Sequence, residues 1–273
     1  MSGGAARIPY DSAAPDMRLL RLAVFERLRR EPNWDQLPNS PEGFDPYVDH
    51  VNPGRKSVLL FPIREVMWQL ICEGVLAPGC NSNNLDFPFF HLTDLGRSVL
   101  DATGPNPFDP EGYSDALRRR IAKPDDTVLA YLAESLNAQR HGVLAASAVM
   151  LGIAAERVFL LVCESLLAAL EDAKEQRELE KLLKQFPMKP KLDWVSAKLD
   201  AIRKRGLPGL PDNARLMVLA MYDLIRYQRN ELGHPREIPP QLSREDVLGN
   251  QLVFVRYYET AEVVRAVFAR NRE

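Results

Sequence analysis

Arg229, Asn230 and His234 bring a permanent cation, an amide and a titratable imidazole into six consecutive positions of a 273-residue chain. A guanidinium can hold a phosphate through paired N–H donors. An imidazole can give or take a proton near neutral pH. The elements around them must bring the three together. An apolar helical run starts near Asn213, capped by Asp212 or Asn213, and carries Arg226 and Arg229 towards its end. Gly233 tolerates the left-handed conformation that stops a helix. Pro235 drives His234 out of the α region. In an unbroken helix, residues five apart point about 140° away from each other. A break at Gly233 lets the imidazole swing back towards the Arg229 face.

This segment, Arg226 to Pro235, resembles the signature of the HEPN superfamily, an Arg followed by a polar residue and, four to six residues on, a His. Arg229, Asn230 and His234 match it with four residues between Arg and His. The resemblance covers Pro124 to Glu273, the size of one domain. It implies a helical bundle, a homodimer whose two motifs share a cleft, and in many members a metal-independent ribonuclease. RNA supplies its own nucleophile, the 2′-OH. On this reading His234 moves the proton, Arg229 stabilises the phosphorane charge and Asn230 orients the His or the phosphate. No metal and no cofactor are needed. Defence or toxin-type growth control is a further implication of the family. Some members carry a Tyr two residues after the His that a partner enzyme modifies; Arg236 stands there instead. Other members lack activity and serve as dimerising or RNA-holding modules.

Two groups of residues are candidates for support. Glu156 interrupts the apolar run Val143–Leu170, where a carboxylate is costly unless paired. Arg157, Arg226 and Arg229 are possible partners, and a structural ion pair is the plainer role. From Lys181 to Arg205 eight Lys or Arg face two Asp, the one locally basic stretch. Lys189, Lys191, Arg203, Lys204 and Arg205 are the candidate nucleic-acid contacts there. Phe186 and Trp194 can stack on bases. The alternative is a polar insert between helices with Trp194 turned into the core. His50, His91 and His141 match no metal spacing.

Upstream of this domain the chain reads as a tail over 1–15 and a small α+β domain over 16–103. Asp16 to Arg30 is an amphipathic helix capped by Asp16. Glu31 to Gly54 is irregular but packed, given Trp34, Phe44 and Tyr47. Ser57 to Phe61 is a candidate strand, and Pro62 opens a second helix that Gly74 ends. Val75–Ala77 and Leu85–Leu92 are candidate strands around a turn, and Thr93 caps a helix over Asp94–Leu100. The order helix, strand, turn, strand, helix resembles part of a winged helix-turn-helix domain. Such a domain can bind DNA or dock a partner. The turn Asn81–Asp86 has no cation for phosphate, which weighs against DNA.

Residues 104–123, rich in Pro and Gly, read as a linker with a short helix over Ser114–Ala122. Pro124 opens a helix over Asp125–Gln139. The Val143–Leu170 helix is expected to continue as a charged extension over Glu171–Glu180. Ser243 with Asp246 approximates a capping box for a last helix reaching Asn271. The fold class expected is therefore mainly α: a HEPN-like bundle plus a winged-helix-like domain.

Composition sets the outer bounds. Apolar residues at 46% and charged residues at 26% are ordinary for a globular protein. A net charge of −2 gives no global attraction to nucleic acid. Three scattered cysteines form neither a disulfide framework nor a zinc site, and a reducing compartment, the cytoplasm, is expected. Residues 1–10 lack the apolar core of a signal peptide. Charges inside Val143–Leu170 break any clean membrane span. RNA and a second copy of the chain are the expected partners.

Overall fold

The computed structural model describes residues 16–37, 57–101, 107–211, 214, 215, 219, 222 and 241–270. The chain is mainly helical and divides into two units, residues 1–103 and 104–273.

In the first unit α1 spans Met17–Arg30, with the Asp16 carboxylate accepting from the Arg18 and Leu19 amides. Helix α2 spans Ser57–Cys72 and contains Pro62. The strand expected over Ser57–Phe61 is thus helix. Leu59, Ile63, Val66, Met67 and Leu70 are all buried, so the apolar spacing runs straight through the proline and outweighs the lost N–H. Strands β1 (Leu76–Pro78) and β2 (Phe90–Leu92) pair antiparallel with Leu76 opposite Leu92. The second strand is shorter than expected because its first residues form turns. The Thr93 hydroxyl accepts from the Gly96 amide and opens α3, Asp94–Asp101. Trp34 packs edge-on to Phe90, at 5.2 Å between ring centres, as a packed segment requires. Phe44 and Tyr47 lie outside the described residues.

The second unit is a helical bundle. Helix α4 spans Pro110–Arg120, with Asp109 as its cap and Pro110 in its first turn. Tyr113, Leu117 and Ile121 of this stretch are buried in the bundle core. Residues 107–121 are therefore part of the folded unit rather than a linker; their apolar spacing outweighs the Pro/Gly content around them. Helix α5 (Asp126–Arg140) is capped by Asp125, one residue later than expected, with Pro124 left outside. Gly142 takes a positive φ of 75° in the tight turn to α6, Leu144–Ala169. Glu156, Arg157 and Glu164 do not break the span as expected: among the described residues α6 is the one helix long and apolar enough to cross a membrane, and 61% of its most apolar window is buried. Helices α5 and α9 (Arg244–Arg270) cover it.

The charged extension expected beyond α6 is a separate helix. Leu170 ends α6, and Asp172 accepts from the Lys174 and Glu175 amides to open α7, Ala173–Leu183. Helix α8 follows over Lys189–Lys204. The capping box at α9 forms as its spacing requires: the Ser243 amide donates to Asp246 and the Asp246 amide to Ser243 Oγ, both at 3.1 Å. Gln251 of α9 donates to Ser135 of α5 and Ser147 of α6, at 3.3 and 3.2 Å. That buried polar contact fixes the register of three helices at once.

Candidate functional site

Arg226, Arg229, Asn230 and His234 lie outside the described residues. The nearest described residue before them in the chain is Tyr222, and the structure gives its surroundings. An aromatic layer fills the space between α6 and α9. Phe159 of α6 stacks on Tyr222 with ring centres 5.1 Å apart and planes 16° from parallel. Tyr222 in turn meets Tyr257 of α9 at 6.3 Å, and Phe254 meets Tyr257 at 6.2 Å. The Tyr257 hydroxyl donates to the Ala155 carbonyl at 2.9 Å, which ties α9 to the middle of α6. Complete burial holds the Tyr257 phenol well above its ordinary pKa, so it stays a neutral donor.

Two contacts mark where described residues after α8 meet α6. Arg205 to Pro208 line a cleft together with Leu166 and Leu170, at the C-terminal end of α6. Tyr222 stacks on Phe159, about two turns nearer the middle of that helix. Tyr222 thus lies farther from the C-terminal end of α6 than Arg205 to Pro208 do. Arg215 holds this segment to α8, donating to Ser196 at 2.8 Å and pairing with Asp200 at 3.2 Å.

Glu156 sits half-buried on α6, three residues before Phe159. Arg157, its nearest candidate partner in sequence, is engaged with Glu164 at 2.7 Å and Asp125 at 3.1 Å. Asp125 thus does two things, capping α5 and bridging it to α6. Burial raises its pKa, but the Arg157 hydrogen bond and charge and the Val128 amide outweigh this and leave it below the usual range.

The basic stretch separates into three roles. Lys189 is exposed and pairs with Asp193 at 3.3 Å. Lys191 is buried, its ammonium donating to the carbonyls of Gln185 at 2.6 Å and Pro187 at 3.3 Å. Arg203, Lys204 and Arg205 are exposed at the C-terminal end of α8, where cations are favoured by the helix dipole, and form no ion pair among the described residues. Phe186 is 95% exposed, whereas Trp194 packs against the core.

Sequence reasoning missed the cleft of about 570 Å³ between the ends of α6, α7, α8 and α9. Its floor includes Leu166, Leu170 and Phe268, and its rim Glu175, Lys198 and Arg205. Lys198 pairs with Glu175 there. No local pattern marks these residues, because they come from four separate helices. Among the described residues no group of three or more His, Cys, Asp or Glu is placed to hold a metal ion. His91 contacts the Gly79 carbonyl through Nδ1, and His141 forms the C-terminal cap of α5. His50 lies outside the described residues. The chain matches no protein-family model, no curated protein and no solved structure.

Proposed function

We propose that the protein is a metal-independent endoribonuclease of HEPN type, acting as a homodimer through residues 104–273. The Phe159–Tyr222 stack carries this reading. It sets Tyr222, which precedes Arg226 and Arg229 in the chain, against the central helix of the bundle. On this reading a helix continues from Tyr222 against α6, as the apolar spacing expects, and brings Arg226 level with Glu156. Arg229 follows three residues later on the same face. A carboxylate beside two guanidiniums fixes their direction without metal. In this role Glu156 and Arg226 position Arg229, and Arg229 and His234 meet the substrate.

The reaction is an attack by the RNA 2′-OH on the adjacent phosphorus. The 2′-oxygen loses its proton, the 5′-oxygen leaves and gains one, and a 2′,3′-cyclic phosphate results. His234 takes one of these proton transfers and its counterpart in the second subunit the other. The guanidinium of Arg229 stabilises the phosphorane charge. The test compares RNA with the same oligonucleotide carrying 2′-deoxyribose at the cleavage site, in the presence of EDTA. Cleavage of RNA alone is expected. Equal cleavage of the deoxy substrate, or loss of activity to EDTA, would overturn the assignment. Defence or toxin-type growth arrest is the cellular role this activity suits.

For the first unit we favour a winged-helix-like module that docks a protein over one that reads DNA. The outward face of α2 carries Phe61, Glu65, Trp68, Gln69 and Cys72. The one cation beside them, the half-buried Arg64, lies 6.0 Å from the centre of the Phe87 ring, and DNA affinity rests heavily on phosphate neutralisation. Trp68 meets Phe87 edge-on at 6.0 Å, an aromatic pair suited to a protein surface.

A further inference from the structure

The α7–α8 turn is built around one exposed aromatic ring. Phe186 is 95% exposed. A single exposed apolar side chain needs no explanation by itself. The turn that presents this one is unusual. Lys191 is buried to 3% exposure, and its ammonium donates to the carbonyl of Gln185 and to that of Pro187. Those two residues flank Phe186. Met188 Sδ lies 3.7 Å from the same ammonium. One buried cation therefore pins the backbone on both sides of the ring, while the ring itself points into solvent. Burying an ammonium is costly and is offset only by such carbonyl contacts. Holding a Phe out of the core forgoes its burial energy as well.

The cations nearest the ring in sequence suit a polyanion, with the exposed acids Glu178 and Glu180 one turn further back on α7 and Asp193 one turn into α8. Lys181, Lys184 and Lys189 are exposed. Lys181 and Lys184 form no ion pair among the described residues. Lys189 is paired with Asp193 only at the surface, where water competes and a phosphate can exchange for the carboxylate. The first turn of α8, directly after the ring, carries no acidic residue to repel a phosphate.

We infer that the α7–α8 turn is a single-strand RNA contact in which Phe186 stacks on an unpaired base and Lys181, Lys184 and Lys189 meet the flanking phosphates. Lys191 is a positioning residue for the ring. The choice of RNA rests on the ribonuclease reading; the geometry of the turn does not. A ring stacks on any base, so the contact adds affinity with little sequence preference. A duplex keeps its bases stacked on each other and offers the ring no partner.

The test measures binding of a short labelled oligouridylate by fluorescence anisotropy, in the full chain carrying His234→Ala so that cleavage does not intervene. Phe186→Ala is expected to weaken binding about ten- to hundredfold, with Phe186→Trp restoring it. Binding of a duplex RNA should not change. Lys191→Met, in a chain whose melting transition stays cooperative, should lose a large part of the same affinity and add little to Phe186→Ala. Oligouridylate binding that is the same with and without the ring overturns the inference. So does a loss confined to vesicles of phosphatidylserine, which would make the turn a membrane contact. Either result leaves the ribonuclease reading standing, because that rests on the deoxy-substrate comparison. Absence of cleavage with ring-dependent binding would overturn the ribonuclease and keep the contact.

Discussion

Arg21 and Glu73, 52 positions apart, meet inside the first unit as a two-pronged ion pair, Nη1 to Oε1 at 3.0 Å and Nη2 to Oε2 at 2.5 Å. Both side chains are almost fully withdrawn from water. The pair joins the middle of α1 to the residue just past α2, and the Arg21 guanidinium also lies 5.1 Å from the centre of the Phe25 ring. Two charges in such a place stabilise the fold only as a pair, and either alone is a large penalty. Glu73→Ala should therefore lower the stability of this unit by about 3–5 kcal/mol in urea denaturation. Arg21→Met with Glu73→Leu should recover most of that loss. Equal destabilisation by the single and the double change would show that packing, not charge, is at stake.

Acid should act through three aspartates. The Arg157 interactions and amide contacts hold Asp125 low despite its burial. Amide hydrogen bonds from Glu175 and Lys174 lower Asp172, and hydrogen bonds from Ser243 lower Asp246. A carboxylate depressed in the folded state leaves the unfolded chain to take up the proton first. The stabilisation is fully present above the unfolded value of about 3.9 and is lost as pH falls through the lower folded values. Midpoints of urea unfolding should be flat with respect to these groups above pH 5 and fall steeply below pH 4. Asp125→Ala should cost about 1–2 kcal/mol at neutral pH and flatten part of that slope.

The cysteines should differ sharply towards a thiol reagent. Cys72 is exposed, Cys80 half-buried and Cys163 buried. Burial pushes the Cys163 thiol up to about 12, despite the nearby Lys191 ammonium pulling the other way. Burial and the Asp35 carboxylate push Cys80 up as well. At pH 8, Ellman's reagent should label Cys72 first and Cys80 more slowly. Cys163 should react only as fast as the bundle opens. Rapid labelling of Cys72→Ser at two sites would contradict the burial of Cys163.

On the proposed ribonuclease mechanism, Arg229→Ala should slow cleavage by the equivalent of about 3 kcal/mol, through lost charge stabilisation. His234→Ala should slow it by about 10² to 10⁴-fold. Glu156→Gln should act in the same direction with a smaller effect, because it works through the guanidiniums. Single-turnover rates on one labelled RNA give all three values.

Helix caps and periodic apolar faces were legible in the sequence because they are local. Asp16, Thr93 and the Ser243–Asp246 box stand where their spacing puts them. Proline misled twice. Pro62 suggested a boundary where Leu59 and Ile63 carry one buried face across it, and the prolines before Tyr113 suggested a linker where a helix packs. In both places a tertiary contact decides, and no window of ten residues contains it. The same holds for Arg21 with Glu73. Lys191 and the Gln185 carbonyl are close in sequence, yet nothing in the residue types marks their contact. A buried lysine and a surface lysine look alike until the turn they hold is known. The candidate chemistry at Arg229 and His234 was the opposite case, a short local pattern that names its residues without the surrounding fold.

The covering of α6 has a consequence for the order of synthesis. Its apolar face is shared between α5, which precedes it directly, and α9, which begins only at Arg244. At about 5–20 residues per second, a ribosome needs several seconds to pass from the end of α6 to the start of α9. During that interval α5 and α6 can close as a hairpin, yet the strip awaiting Phe254 and Tyr257 stays wet. A nascent chain at this stage offers a long apolar helix to chaperones, to membrane insertion machinery and to other nascent copies. A message truncated before Arg244 would make this state permanent, so fragments ending there should accumulate as aggregates or be degraded, whatever the chemistry of the intact protein.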